Sequence, residues 1–356
     1  MRDPAIAPIE EVVARLGEFN AVIDARSPSE YAEDRLPGAI NAAVLDDAQR
    51  ALVGTTHAQV DAFEARRLGA AIAARNIGNL IDRLFADRDR DFRPLVYCWR
   101  GGQRSGSLAT VMARIGWRTT VIEGGYRAFR RHVIAELDTL PRPLRLIVVG
   151  GRTGSAKSRL LEQIALKGGQ VLDLEKIASH RGSLLGGLPT EAQPGQRRFE
   201  TMLWETLRSF SPEQPVYVES ESRKIGQCQI PGALIERIRA SQVAIVEAPI
   251  DVRSHFLLDE YQHFLQDVPR LFTLLDCMTP LHGAQRIDEW KALVDTDRWR
   301  VLVERLLLEH YDPSYDRSMK RNFDQLCAAP VVRIASTLPS ALSEAADELM
   351  RLGRAD

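Results

Sequence analysis

Short continuous apolar runs alternate with helical periodicities along this chain, and that alternation predicts an α/β fold. In the first part, Asn20 to Asp24, the run 94–97 and Arg118 to Val121 read as strands, because strands buried on both faces appear as brief unbroken apolar runs. Between them the pattern predicts a short helix from Ser29 to Asp34, a long one over 58–86 rich in Ala, Arg and Leu, and one from about Ser105 to Ile115. In the last of these Val111 and Ile115, four residues apart, are the expected buried face. Two prolines in Thr139-Leu-Pro-Arg-Pro143 break the helical pattern that begins at Tyr126, so a first domain of 1–137 and a second of 138–356 are expected. The second opens with the strand Leu144 to Val149. It continues with strand candidates at Val171–Leu174, Val216–Glu219, Val243–Val246 and Val331–Ile334. Beyond Val252 the chain reads as largely helical, with unbroken patterns through Phe256–Phe264 and Trp290–Glu309.

Composition narrows the class of protein. The chain has 356 residues, 45% hydrophobic and 27% charged, and no run of eighteen apolar residues, so no transmembrane helix is expected. The start MRDPAIAPIEEVV is acidic and lacks an apolar segment, which argues against secretion and for a cytoplasmic protein. Cysteines 98, 228, 277 and 327 have neither paired nor zinc-ligand spacing; free thiols are expected and no metal ligands are assigned. The net charge of −1 hides 41 Arg against 6 Lys. Arg clusters at 126–132, 141–145 and 195–200 suit RNA phosphates and, equally, solvated helix faces.

Two loops carry chemistry. The first is YCWRGGQRSG, directly after the strand 94–97. A strand–Cys–Gly-Gly–Arg–helix arrangement can aim several backbone N–H groups at one point beside the thiol of Cys98. Arg100 and Arg104 would add positive charge, Gly101 and Gly102 would let the backbone curl, and Ser105 would cap the following helix. The spacing Cys98 to Arg104 is C-x5-R, a seven-residue cradle that suits both a tetrahedral oxyanion and a terminal persulfide sulfur.

The second loop is GRTGSAKS, from Gly151 to Ser158, set between a strand and the helical run RLLEQIAL. That context supports a phosphate loop. Gly151, Thr153, Gly154 and Ser155 would wrap a phosphate with their amides, Lys157 would neutralise it, and Ser158 would face a Mg²⁺ if one is used. Ala156 stands where such loops usually carry glycine, so its methyl group constrains φ. Acidic and basic candidates follow at neighbouring strand ends: Glu219, Glu221 and Arg223 in VYVESESRKIG, and Asp173 with Glu175 in VLDLE. His180-Arg181-Gly182-Ser183 forms a polar segment nearby in sequence. Strand ends of one edge are where α/β sheets bind ligands.

The segment DARSPSEYAEDRLPGAINA (24–42), Cys98 and VIEGGYRAFR (121–130) resemble the rhodanese domain, whose persulfide-carrying nucleophile Cys98 matches. Ordinary rhodaneses have C-x4-R; this loop is one residue longer, as in the related dual-specificity phosphatases. Together with GRTGSAKS, DLEKIASHRGSLLGG (173–187) and VESESRKIG (218–226), the motifs resemble one family over nearly the whole chain, tRNA 2-selenouridine synthase. The resemblance implies a rhodanese-like domain with a mostly parallel sheet, then a P-loop NTPase-like α/β domain with a helical C-terminal portion. It implies selenium-for-sulfur exchange in wobble 2-thiouridine of tRNA, with selenophosphate as donor, and geranylation of the sulfur from geranyl diphosphate. A selenophosphate-supplying enzyme is then a candidate partner. On that footing the diphosphate falls to 151–158 and the selenophosphate step to Cys98. Selenium passes either through a perselenide on Cys98, with Arg100 and Arg104 holding the phosphate, or directly from bound selenophosphate. The rival is a P-loop ATPase or kinase fused to a sulfurtransferase in tRNA thiolation.

Overall fold

Brief, fully buried apolar runs pair in parallel, since each is covered on both faces by the helices that connect them. The computed structural model describes residues 3–182, 186–187, 192–323 and 326–354. In the first part of the chain the strands are β1 (Ala5–Ala7), β2 (Ala21–Asp24), β3 (Ala39–Asn41), β4 (Pro94–Tyr97) and β5 (Thr120–Ile122). They form one parallel sheet in the order β1-β5-β4-β2-β3. Asp24 at the end of β2 lies opposite Tyr97 at the end of β4, so the residues that follow both strands emerge at the same sheet edge.

Two helical expectations change here. The long helix expected over 58–86 is Ala62–Leu84, and a separate helix, Asp47–Gln59, precedes it. Asp61 separates them, extended at φ −163 and accepting from the N–H groups of Phe63 and Glu64 at 2.7 and 2.9 Å, which starts the second helix afresh. The helix Gln103–Ile115 buries Leu108, Ala109, Met112 and Ala113, not Val111 and Ile115, which are 38% and 50% exposed. Two alanines in the stripe let this helix sit close to the sheet beside Leu108 and Met112, and the β-branched Val111 and Ile115 face out.

The chain separates into two units, Met1–Leu137 with Arg197–Glu205, and Asp138–Gln196 with Thr206–Asp356. Residues 197–205 therefore pack with the first unit although they lie far along the sequence. Thr201 donates to the buried carboxylate of Asp34 at 2.9 Å, and the Trp204 indole donates to Glu136 at 2.6 Å while meeting Phe129 edge-on.

The second unit contains β6 (Leu146–Gly150), β7 (Gln170–Leu172), β8 (Val216–Glu219), the hairpin β9 (Lys224–Ile225) and β10 (Cys228–Gln229), then β11 (Gln242–Glu247) and β12 (Val331–Arg333). Its main sheet is parallel in the order β12-β11-β6-β8-β7. Central β6 thus delivers the glycine loop from the middle of the sheet. Between β11 and β12 a helical portion builds its own core from Leu271, Leu275, Trp290, Leu302 and Leu306. Its helices are shorter than the apolar pattern suggests. Ile250–Glu260 stops before His263–Gln266, and Asp297 at φ 57 divides Ala284–Asp295 from Trp299–Leu306. The last of these runs into a π-helical turn, Leu307–Tyr311. Among the described residues no helix is long and apolar enough to cross a membrane.

Candidate functional site

The cysteine loop rests on a buried electrostatic brace. Tyr97 donates to Asp24 at 2.8 Å and Arg26 pairs with Asp24 at 2.6 Å, all three side chains removed from solvent. The Arg26 guanidinium also lies 4.0 Å from the centroid of the Tyr126 ring. A buried pair of this kind costs several kcal/mol to break from one side, about 3–5, and so fixes the strand ends. The DAR segment is thus a support for the loop and not a reacting group.

Above the brace, Cys98 is buried and its carbonyl accepts the Tyr126 N–H at 2.8 Å, while Trp99 accepts that of Arg127 at 3.1 Å. Gly125 makes this approach possible: at φ +57, a Cβ there would stand 2.2 Å from the Cys98 carbonyl oxygen. Gly102 is the N-cap of the helix Gln103–Ile115. Ser105, expected as the cap, instead lies inside the first turn and donates to Cys98 Sγ at 3.1 Å. Arg104 is likewise engaged, pairing with Glu30 at 2.6 Å. Burial works against the Glu30 charge, but Arg104, the Ser27 N–H and Arg50 together hold its carboxyl below the ordinary range. Arg100 is exposed, and among the described residues its side chain makes no hydrogen bond or ion pair. Asp34 escaped the sequence reading. It accepts from Tyr126 at 2.8 Å, its other oxygen has no partner among the described residues, and burial pushes its pKa up.

The phosphate loop follows β6 directly. Gly154 at φ +84 lets the loop crest lie against Arg253, where a Cβ would come within 3.0 Å of a carbonyl oxygen. The Thr153 carbonyl accepts from Arg253, whose guanidinium pairs with buried Asp312 at 2.5 Å. Ala156 takes the left-handed conformation, φ 56 and ψ 31, immediately before the helix Lys157–Leu166. That helix opens with its first amides unpaired by any earlier turn, the usual basis of an anion site. Lys157 Nζ folds over the loop and donates to the Gly151 carbonyl at 2.8 Å. Ser155 Oγ is buried without a partner among the described residues.

Beside the loop three carboxylates converge: ligand oxygens of Glu175, Glu219 and Glu221 lie within 4.8 Å of one another. Ser158 donates to Glu175 at 3.2 Å. Burial first, then mutual repulsion, raises the Glu175 and Glu219 pKa values, with Lys157 opposing. One buried oxygen of Glu219 has no partner among the described residues. An all-oxygen set with a hydroxyl and an orphaned carboxylate oxygen fits a hard divalent cation such as Mg²⁺.

Comparison with known proteins agrees with this two-part geometry. Residues 8–132 match the rhodanese-like domain family, and residues 144–271 match the family described as tRNA 2-selenouridine synthase AAA domain. A tRNA 2-selenouridine synthase of Alcanivorax borkumensis is 31% identical over 331 residues, covering 84% of this chain and 90% of that protein. The chain belongs to the tRNA 2-selenouridine synthase family. A second such synthase, from Nitrosomonas europaea, is 29% identical over 90% of this chain and 94% of its own length.

For this selenouridine synthase family member the structure sorts the expected site residues unevenly. Gly151, Thr153, Gly154, Ser155, Lys157 and Ser158 do share one loop, and Glu219 and Glu221 do converge beside it. Asp173 adds negative charge near them but no oxygen to the trio; it caps the helix Leu174–Ala178 by accepting the Lys176 N–H at 2.8 Å, and Glu175 takes the place by the loop. Arg223 is exposed just before β9, with no side-chain partner among the described residues. His180 accepts the Gly182 N–H, and burial lowers its pKa. Ser183 lies outside the described residues.

Proposed function

We propose that this enzyme replaces the sulfur of wobble 2-thiouridine in tRNA with selenium, by way of an S-geranyl intermediate. The observation that carries the reading is a near full-length family match whose two halves each place a tight turn before a helix N-terminus, one with a thiol bonded by Ser105 and one with Lys157 folded over it. In the first step the thiocarbonyl sulfur forms a bond to C1 of geranyl diphosphate, the C1–O bond breaks, and diphosphate leaves with the electron pair. The helix amides and Lys157 hold that leaving group, where charge grows. The Glu175, Glu219, Glu221 and Ser158 set would hold a Mg²⁺, which supplies further charge neutralisation for the diphosphate. The base loses its N3 proton and becomes a thioether-like electrophile at C2. Reaching that atom requires the base to be splayed out of the anticodon stack.

Selenium delivery is redox-neutral if it runs through phosphorus. The Cys98 thiolate attacks selenophosphate phosphorus, the S–P bond forms, the P–Se bond breaks and selenide leaves with its electrons. Selenide adds to C2 and geranylthiol departs with a proton, and water then cleaves the S–P bond to give phosphate and free Cys98. Redox balance favours this route, and the Ser105 hydroxyl on the sulfur would support the thiolate; a perselenide formed from selenophosphate with release of phosphate would need an added oxidant. Mass spectrometry of thiolated tRNA with geranyl diphosphate and selenophosphate, added separately, tests the whole scheme. S-geranyl and then seleno nucleosides are expected. ATP turnover without either product would favour the kinase or ATPase rival.

A further inference from the structure

The helical portion that follows β11 walls an open-mouthed apolar chamber, and the crest of the phosphate loop is part of the chamber wall. Thr153 lines it together with Leu258, Tyr261, Trp299, Leu302 and Leu306 among others. The contact with the loop is direct, since a Cβ at Gly154 would stand 3.1 Å from Leu257 Cδ1. Leu302 and Leu306 are buried and belong to the helical core, so that wall is built into the fold. The π-helical turn also lines it through Leu307 and Tyr311, an irregularity often found at functional positions.

The lining chemistry decides the occupant. No carboxylate, amide or cationic side chain is among the lining residues, and the Trp299 indole is already bonded to Asp297 at 2.7 Å. The hydroxyls of Thr153, Tyr261 and Tyr311 are too few for a nucleoside, which would bury most of its base edges and sugar hydroxyls unpaired, at a cost of about 1–3 kcal/mol for each group. Hydrocarbon has no such cost. We propose that this chamber receives the branched tail of a prenyl diphosphate whose diphosphate sits on the phosphate loop, and that its wall sets the accepted tail length. The inference rests on the geranylation reading for its ligand and adds the site to it.

Equilibrium binding to the full chain tests it with inorganic pyrophosphate and with dimethylallyl, geranyl and farnesyl diphosphates. Geranyl diphosphate should bind at least about tenfold more tightly than pyrophosphate, as expected for a filled apolar pocket. Val303→Trp, at a half-buried lining position, should erase that advantage and retain pyrophosphate binding; Leu258→Trp is a second filling variant should the first not fold. Trp299→Ala should move the preference toward the farnesyl tail. Tail-dependent affinity that survives both filling variants overturns the chamber, even if S-geranyl tRNA still forms. Equal affinity for pyrophosphate and geranyl diphosphate overturns it too. Tail-dependent binding that the fillings abolish, with no geranylated tRNA produced, keeps the chamber and sinks the proposed reaction instead.

Discussion

The cysteine loop and the phosphate loop share one plan, strand to tight turn to helix N-terminus, yet they are held differently. Above the Asp24–Arg26–Tyr97 brace, the crest of the Cys98 loop is tied backbone to backbone: the β5-side turn donates two N–H groups to the Cys98 and Trp99 carbonyls, and Gly125 leaves no room for a Cβ. Around Gly151–Ser158 the bracing is done by side chains, with Tyr315 accepting the Gly151 N–H at 2.5 Å and Arg253 holding the Thr153 carbonyl. The contrast fits the roles proposed for the two loops. A nucleophilic sulfur would have to stay at one place, whereas a phosphate cradle would have to leave the amides beyond its first glycine open to a ligand that arrives and departs.

The largest test of this difference is chemical. Cys98→Ala should lower selenium incorporation by roughly 10³-fold or more while S-geranylation proceeds, because only one step uses the thiol. Lys157→Ala should do the reverse, slowing geranylation by about 10²–10³-fold while selenation of tRNA already geranylated persists. Nucleoside mass spectrometry reads both. If either substitution removes both products from a folded protein, the division of labour between the loops is wrong.

The next test is structural. Gly125→Ala places a methyl group on the Cys98 carbonyl and forces a left-handed alanine, so a loss of about 2–3 kcal/mol is expected in denaturant unfolding. Gly102→Ala, where a Cβ meets nothing within 4 Å, should cost no more than about 1 kcal/mol, the penalty of alanine at an N-cap. Equal losses would mean that the backbone brace at Cys98 is not what holds this loop.

The two loops were also unequally legible in the sequence. Glycine spacing after an apolar run located both turns, because φ and close approach are properties of single residues. What lies around them was harder to read. Glu175 and Asp173 sit two residues apart on similar terms, and only the local geometry makes one a helix cap and the other a neighbour of Glu219. The cap lies three positions before Ser105, at Gly102, enough to turn an expected cap into a donor on sulfur. The buried face of Gln103–Ile115 was missed because Leu108 and Met112 alternate on it with alanines, while the apolar Val111 and Ile115 lie outside it. The chamber left no pattern at all, since its wall combines Thr153 with residues from 257 to 311.

The acidic trio offers a smaller test with a definite sign. Burial and neighbouring carboxylates push the Glu175 pKa up to about 9, so the folded state holds a proton that the unfolded chain releases near the ordinary carboxylate value. Its stabilising share is therefore complete at low pH and is lost as pH rises toward the raised value. Glu175→Gln should accordingly stabilise the protein at pH 8 by something on the order of 1 kcal/mol without divalent cations, and have little effect at pH 4. Thermal melts in a chelator check this. A destabilised variant at pH 8 would show the charge to be favourable, and added Mg²⁺ should shrink the gain if the trio holds the ion.

Ala156 gives the finest comparison, because it occupies a left-handed position without glycine, as Gly125 does with it. A left-handed alanine costs roughly 1–2 kcal/mol. Unlike a Cβ at Gly125, however, its methyl group has a place: it is 3% exposed and packs in the core cluster with Leu160 and Val246. Ala156→Gly would relieve the backbone, but it would lose about 0.8 kcal/mol of methyl burial and return about 0.4–1 kcal/mol of entropy to the unfolded chain. These terms nearly cancel, so a change in stability within about 0.5 kcal/mol is expected from equilibrium unfolding. A gain well beyond that would show that the methyl packing does not offset the strain. The phosphate loop would then be strained where the cysteine loop, with glycine at the equivalent demand, is not.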